Sequence, residues 1–188
     1  MNSLQFLVST IINLFSFIVF LRMWFQFCRI DFYNPLSQTL VKITTPVLLP
    51  LQKTLPTVKN INLSAVVLLI LLGAVKYPLL NWLGADVVEV RGPEVYLIIG
   101  LLHAIRTAGE AILYILFIGA IMSWFNRGAN PLQYTLYQLG EPLLKPIRRI
   151  LPNTGMIDFS PMLLAFVLFY ANRVLYDIIG DLWALASA

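Results

Sequence analysis

The chain has 188 residues, of which 59% are hydrophobic and 12% charged, with a mean hydropathy of +0.81 and a formal net charge of +4. A soluble domain of this size carries about a quarter charged residues and no long uncharged runs, so the composition excludes an ordinary soluble fold. The small, scattered positive excess excludes a nucleic-acid surface, and the single cysteine, Cys28, excludes an internal disulfide and any multi-cysteine metal site.

A helix needs about 20 mostly apolar residues to cross a hydrocarbon layer about 30 Å thick. Four segments meet that length: about 4–27, with Arg22 as its only charge; about 61–83, interrupted by Lys76; about 95–125, carrying His103, Arg106 and Glu110; and about 161–182, carrying Arg173 and Asp177. The third is too long for a straight crossing and is expected to tilt, kink or begin in the interface. The first lacks a basic leader and a small-residue cleavage site, so a retained anchor is expected rather than a signal peptide. Ser160-Pro161 and Gly92-Pro93-Glu94 read as helix starts, because proline lacks only an amide hydrogen that would be unpaired there and Glu94 suits the helix dipole.

An internal repeat organises these segments. Asn34-Pro35-Leu36 recurs as Asn130-Pro131-Leu132, and Pro46, Pro50 and Pro56 recur in the same register as Pro142, Pro146 and Pro152. Each unit is helix, proline-rich connector, helix, and two crossings per unit make the repeats parallel rather than inverted. The expected architecture is an all-α integral membrane protein of four transmembrane helices. A first repeat covers 1–84 with its connector at 28–60, an outer loop covers 85–94, and a second repeat covers 95–188 with its connector at 126–160.

Arg29, Lys42, Lys53 and Lys59 in the first connector and Arg127, Lys145, Arg148 and Arg149 in the second put eight basic residues on one side. The positive-inside rule then places both connectors in the cytoplasm and both termini outside. The second connector is also amphipathic: Leu132, Leu136, Leu139, Leu143, Ile147 and Ile150 share one helical face. Pro142 and Pro146 predict two short helices rather than one, since each lacks a donor and crowds the preceding turn. Such a layer is either a platform for anionic headgroups or partner proteins, or a retention device and nothing more.

The run Glu141-Pro-Leu-Leu-Lys-Pro-Ile-Arg-Arg-Ile-Leu-Pro152, followed by Gly155 and Ile157-Asp-Phe-Ser-Pro161, resembles the signature of the YggT family, with Glu141 where that family would carry Asp. Asp31-Phe-Tyr-Asn-Pro-Leu-Ser-Gln38 is similar to the matching segment of the first repeat. The resemblance implies a bacterial inner-membrane protein with no established reaction or cofactor. It also implies links to osmotic-stress tolerance, to division and envelope organisation and, in plastid relatives, to cytochrome assembly.

Ionisable groups inside crossings are costly and are functional candidates by default. Residue counts put Glu110 and Arg173 at one depth and Arg106 and Asp177 at another, which predicts two ion pairs between the third and fourth crossings. His103, Arg106 and Glu110 share a helix face. Lys76 has only Thr10 and Asn13 at a similar depth in its own repeat, so it should snorkel, face water or compete for Glu110. Arg22 and the tryptophans Trp24, Trp82, Trp124 and Trp183 read as interface anchors. The polar cluster is either an architectural clamp or the lining of an ion path. His103 is the only histidine, and Ser123 and Ser160 fall at the opposite end of the bilayer from it, so no serine–histidine pair, metal site or cofactor site is expected. The expected function is a non-catalytic scaffold that engages anionic lipid or membrane and division proteins. The rival is a channel or transporter component, for which four crossings demand a homo-oligomer.

Overall fold

Apart from the helix that starts at Pro93 after Gly92, each helix among the described residues begins on a side chain that accepts a hydrogen bond from a free backbone amide. The computed structural model describes residues 2–58, 60–84, 92–125, 130–151 and 158–187. Helix α1 (Ser3–Phe27) opens with a reciprocal cap, Gln5 N donating to Asn2 Oδ1 at 2.9 Å and Asn2 N donating to Gln5 Oε1 at 2.7 Å. Helices α2 (Pro35–Gln52) and α5 (Pro131–Ile150) start identically: Asn34 Oδ1 and Asn130 Oδ1 each accept from the amide two residues on, at 2.9 Å, with proline at the first helical position. The repeated Asn-Pro-Leu is therefore a helix-start device used twice. Between α2 and α3 (Leu63–Trp82) lies a two-residue hairpin, β1 (Thr57–Val58) against β2 (Ile61–Asn62), and Asn62 then caps α3. Helix α4 (Pro93–Phe125) is continuous over 33 residues, about 50 Å, and outruns a hydrocarbon core of about 30 Å. Helix α6 (Ser160–Ser187) is capped by Asp158, whose Oδ1 accepts from Ser160 N at 2.9 Å, so the cap lies two residues before the expected Ser160.

Among the described residues, four helices are long and apolar enough to cross a membrane: α1, α3, α4 and α6. The expected pair of short helices in the second connector is one helix instead, and α2 likewise runs through its own two prolines. All four prolines, Pro46, Pro50, Pro142 and Pro146, lie on exposed faces. The bonds they remove are lost where the freed carbonyls can be hydrated, while the opposite face stays packed through Thr44 and Leu48 in α2 and Leu139 and Leu144 in α5.

The core joins Val19 and Phe20 of α1, Leu48 of α2, Ala65, Leu68 and Leu69 of α3 and Ala111 of α4. A smaller cluster of Phe25, Ile115 and Leu139 ties α1 and α4 to α5. The two connectors meet at one end of the bundle, where Asn34 Nδ2 donates to Thr135 Oγ1 at 2.9 Å, while at the other end Gln5 Nε2 donates to the Leu83 carbonyl at 3.2 Å. Both connectors on one side is the arrangement that parallel repeats require.

Helices α3 and α4 cross at glycine. A Cβ on Gly100 would collide with the Ile70 carbonyl oxygen, and one on Gly73 with His103 Cβ. Helix α6 is peripheral and its backbone leaves helical geometry at Ile179 (φ −123°, ψ 22°). Beyond that bend the chain folds back: Trp183 Nε1 donates to Asn172 Oδ1 at 2.9 Å, a contact that about 16 Å of straight helix between them would forbid. Trp183 and Ala186 are thereby buried.

Candidate functional site: a polar seam inside the bundle and a basic layer at one end

Helix α1 carries Gln5, Ser9, Asn13 and Ser16 at spacings of four, four and three, a stripe of period 3.6 in an otherwise apolar segment. The fold turns most of that stripe inward and leaves Asn13 exposed at its edge. Gln5, Ser9 and Ser16 are buried, and Asn13 Nδ2 reaches Ser9 Oγ at 3.5 Å. Lys76 of α3, only 2% exposed, donates from Nζ to Asn13 Oδ1 at 2.7 Å. Of the three fates expected for Lys76, none is realised as such: the buried lysine rests its ammonium on the neutral amide of Asn13, itself an exposed residue. Asn13, one of the two polar residues placed at its depth from the sequence, is the partner.

His103 is also buried. Its Nδ1 lies 3.2 Å from the Ala186 carbonyl and its Nε2 lies 3.0 Å from Ser16 Oγ. A carbonyl only accepts, so Nδ1 carries the proton and Nε2 accepts from the Ser16 hydroxyl. The serine that meets His103 is Ser16, not Ser123 or Ser160, and the polar stripe on α1 is the signal that marks it. The pair is fully enclosed, Ser16 at 0% and His103 at 3% exposed, and the third member is a carbonyl, which cannot neutralise an imidazolium as a carboxylate does.

The two expected cross-helix ion pairs are not formed. Arg106 Nε donates to Glu110 Oε1 at 2.8 Å and Arg173 Nη2 to Asp177 Oδ1 at 3.1 Å, each within its own helix. Similar depth does not decide azimuth, and a partner four residues along one helix needs no neighbouring helix to be in register. Arg106 is also held over the ring of Trp183, 5.7 Å from its centroid, by the folded-back end of α6. His103, Arg106 and Glu110 thus share a stripe but not an environment, passing from buried imidazole to exposed carboxylate.

Three anchor assignments change as well. Arg22 Nη1 donates to Thr44 Oγ1 at 2.6 Å and Thr45 Oγ1 at 3.1 Å, clamping α1 to α2 rather than snorkelling. Trp24 Nε1 donates to the Leu139 carbonyl at 3.0 Å, tying α1 to α5, and Trp183 is an interior residue. Trp82 remains exposed at a helix end as an interface residue would be. The Trp124 side chain, Arg127 and Lys59 lie outside the described residues.

At the connector end the basic residues divide into two groups. Lys42, Lys53, Lys145 and Arg149 are exposed. Arg148 instead bridges Glu141 at 2.6 Å and Asp158 at 2.8 Å, fastening α5 to the start of α6. Partial burial would push the Asp158 carboxyl up, but hydrogen bonds from the Ser160 hydroxyl and amide and from Arg148 outweigh it and hold the group below its ordinary value. Beside the exposed cations stand exposed apolar side chains, including Ile43, Val47, Tyr134 and Ile150. A shallow cleft of about 370 Å³ lies along α5, lined by residues that include Cys28, Tyr134, Tyr137 and Lys145. Among the described residues no group of three or more His, Cys, Asp or Glu side chains could hold a metal ion.

These features define a polytopic α-helical membrane protein in which two parallel units each join a pair of crossings through an Asn-Pro-capped amphipathic helix. The chain belongs to the CCB3/YggT family, whose model matches residues 1–83 and 98–179, one stretch per unit. It is 49% identical to an uncharacterized protein of Haemophilus influenzae over 96% of this chain and 95% of that one. It is 42% identical to a Vibrio alginolyticus protein over 97% and 98% of the two chains, and 39% identical to the uncharacterized protein YggT of Escherichia coli K12 over 95% and 92%. No solved structure matches the chain.

Proposed function

We propose that the protein is a non-catalytic scaffold of the bacterial inner membrane whose α2–α5 layer faces the cytoplasm and engages anionic headgroups. Through that contact it would act in envelope organisation, the common ground of osmotic tolerance and division. The supporting observation is the mixed outer face of that layer, where Lys42, Lys53, Lys145 and Arg149 stand exposed among exposed apolar side chains. Such a face matches the boundary between headgroups and acyl chains. The eight basic residues of the two connectors supply the cytoplasmic orientation.

The conduction reading is weaker because the polar seam does not continue. It runs from Gln5 to Ser16 and His103 and then meets Val19, Phe20, Leu68, Leu69 and Ala111, an apolar cluster spanning α1, α3 and α4. The Ser16–His103 pair is enclosed among the described residues, and its contacts bind α1, α4 and the end of α6 together.

The test is lipid retention by the full protein purified in native lipid. Changing Lys42, Lys53, Lys145 and Arg149 to Gln should weaken anionic-lipid retention by about 1 kcal/mol per charge, roughly fivefold each. An unchanged, salt-insensitive lipid complement in the fourfold variant would refute the headgroup platform.

A further inference from the structure

We infer that two copies of this chain associate side by side through α6, with Arg173 and Asp177 of each copy closing a four-charge ring. Among the described residues, the apolar stretch of α6 is the candidate crossing with none of its residues buried within the protomer, whereas α1, α3 and α4 bury 28%, 44% and 22% of theirs. Its outward stripe, Met162, Phe166, Phe169, Tyr170, Arg173 and Asp177, advances by three or four residues at a time apart from the adjacent pair Phe169 and Tyr170. Phe166 and Tyr170 are already stacked on that stripe, 6.3 Å between ring centroids.

The charges distinguish this face from an ordinary lipid-facing one. The Arg173 and Asp177 side chains are 70% and 54% exposed; Arg173 also lies over the Tyr176 ring, 5.8 Å from its centroid, and its one 3.1 Å hydrogen bond leaves most of the guanidinium donors unused among the described residues. Counted from Ser160, Arg173 lies about 20 Å into a hydrocarbon layer about 30 Å thick, where unmatched donors are costly.

A second copy offers what lipid cannot. Both copies insert with the same orientation, so their symmetry axis runs along the membrane normal and the contact is isologous. Across such a parallel pair, Arg173 of one copy sits about 6 Å in rise from Asp177 of the other, with helix axes about 8–10 Å apart. That distance is within a guanidinium's reach, so each arginine can lie between two carboxylates and each aspartate between two arginines. The motif is self-complementary: it needs no other protein. Polar side chains joining apolar helices in this way are a common basis of association inside membranes.

The test is cysteine cross-linking of the full chain in native membranes, in a Cys28→Ser background. Phe166→Cys on the α6 stripe should give a covalent dimer, and Leu14→Cys on the exposed side of α1 should not. Adding Asp177→Arg places four cations in the contact and should reduce the α6 cross-link about tenfold. The charge exchange Arg173→Asp with Asp177→Arg restores alternation and should restore the cross-link, which separates loss of contact from loss of folding. Equal cross-linking from α1 and α6, or a cross-link indifferent to Asp177→Arg, would overturn the inference. So would failure of the exchanged pair to recover it, which would leave Arg173 to the outer headgroups alone.

Discussion

Replacing Asn13 with leucine would leave the Lys76 ammonium, 2% exposed, without its 2.7 Å acceptor. A hydrogen bond to a charged group contributes about 1.5–3 kcal/mol, and removing one partner leaves the buried charge to bear its desolvation alone. In a chain of this size each kcal/mol shifts the unfolding midpoint by about 2–4 °C, so Asn13→Leu should lower it by about 3–12 °C. Lys76→Met keeps the apolar stem and removes the charge, and should cost less than about 1 kcal/mol or stabilise slightly. The double variant should then unfold close to Lys76→Met, because the amide has no charge left to serve. Cys28, the only cysteine and half-buried where α1 meets α5, supplies the readout: its reaction with a thiol probe in detergent reports thermal opening of the bundle. An Asn13→Leu midpoint equal to the wild type would refute the reasoning. Destabilisation by Lys76→Met as large as that by Asn13→Leu would do so equally, since the charge itself would then be stabilising.

Two further outcomes follow from the packing and the junction. Gly100→Ala puts a methyl group against the Ile70 carbonyl oxygen, a backbone atom that cannot turn aside, so α3 and α4 should separate at a cost of about 1–3 kcal/mol or more, read by the same thermal assay. The lowered Asp158 acidity means that the α5–α6 junction is fully stabilised above the ordinary carboxyl value of 3.8 and loses that contribution as pH falls through the lower folded value; a pH series of unfolding midpoints should show a drop below 3.8 in the wild type that Asp158→Asn flattens.

The sequence by itself determined which segments are long and apolar enough to cross a membrane, that they form two parallel units, and that both connectors lie at one end of the bundle. Each of these rests on local properties: an apolar run long enough to span, an Asn-Pro that caps a helix whatever surrounds it, and prolines kept in register. The break expected at Pro142 and Pro146 is absent from α5 because a proline's cost depends on which face of the helix it occupies, and that face is set by what the helix packs against. Depth along a helix could be counted, but azimuth could not, so the cross-helix pairs expected for Glu110 and Arg173 became pairs within α4 and α6. The seam of Asn13, Ser16, Lys76 and His103 was half legible as a polar stripe on α1. Its closure needed the approach of α3 to α4 at Gly73 and Gly100, and the return of α6 at Ile179 that brings the Ala186 carbonyl to His103. Tertiary structure decided these because a buried polar group takes whichever partner lies within about 3 Å. That proximity is a property of four packed helices and of no single one.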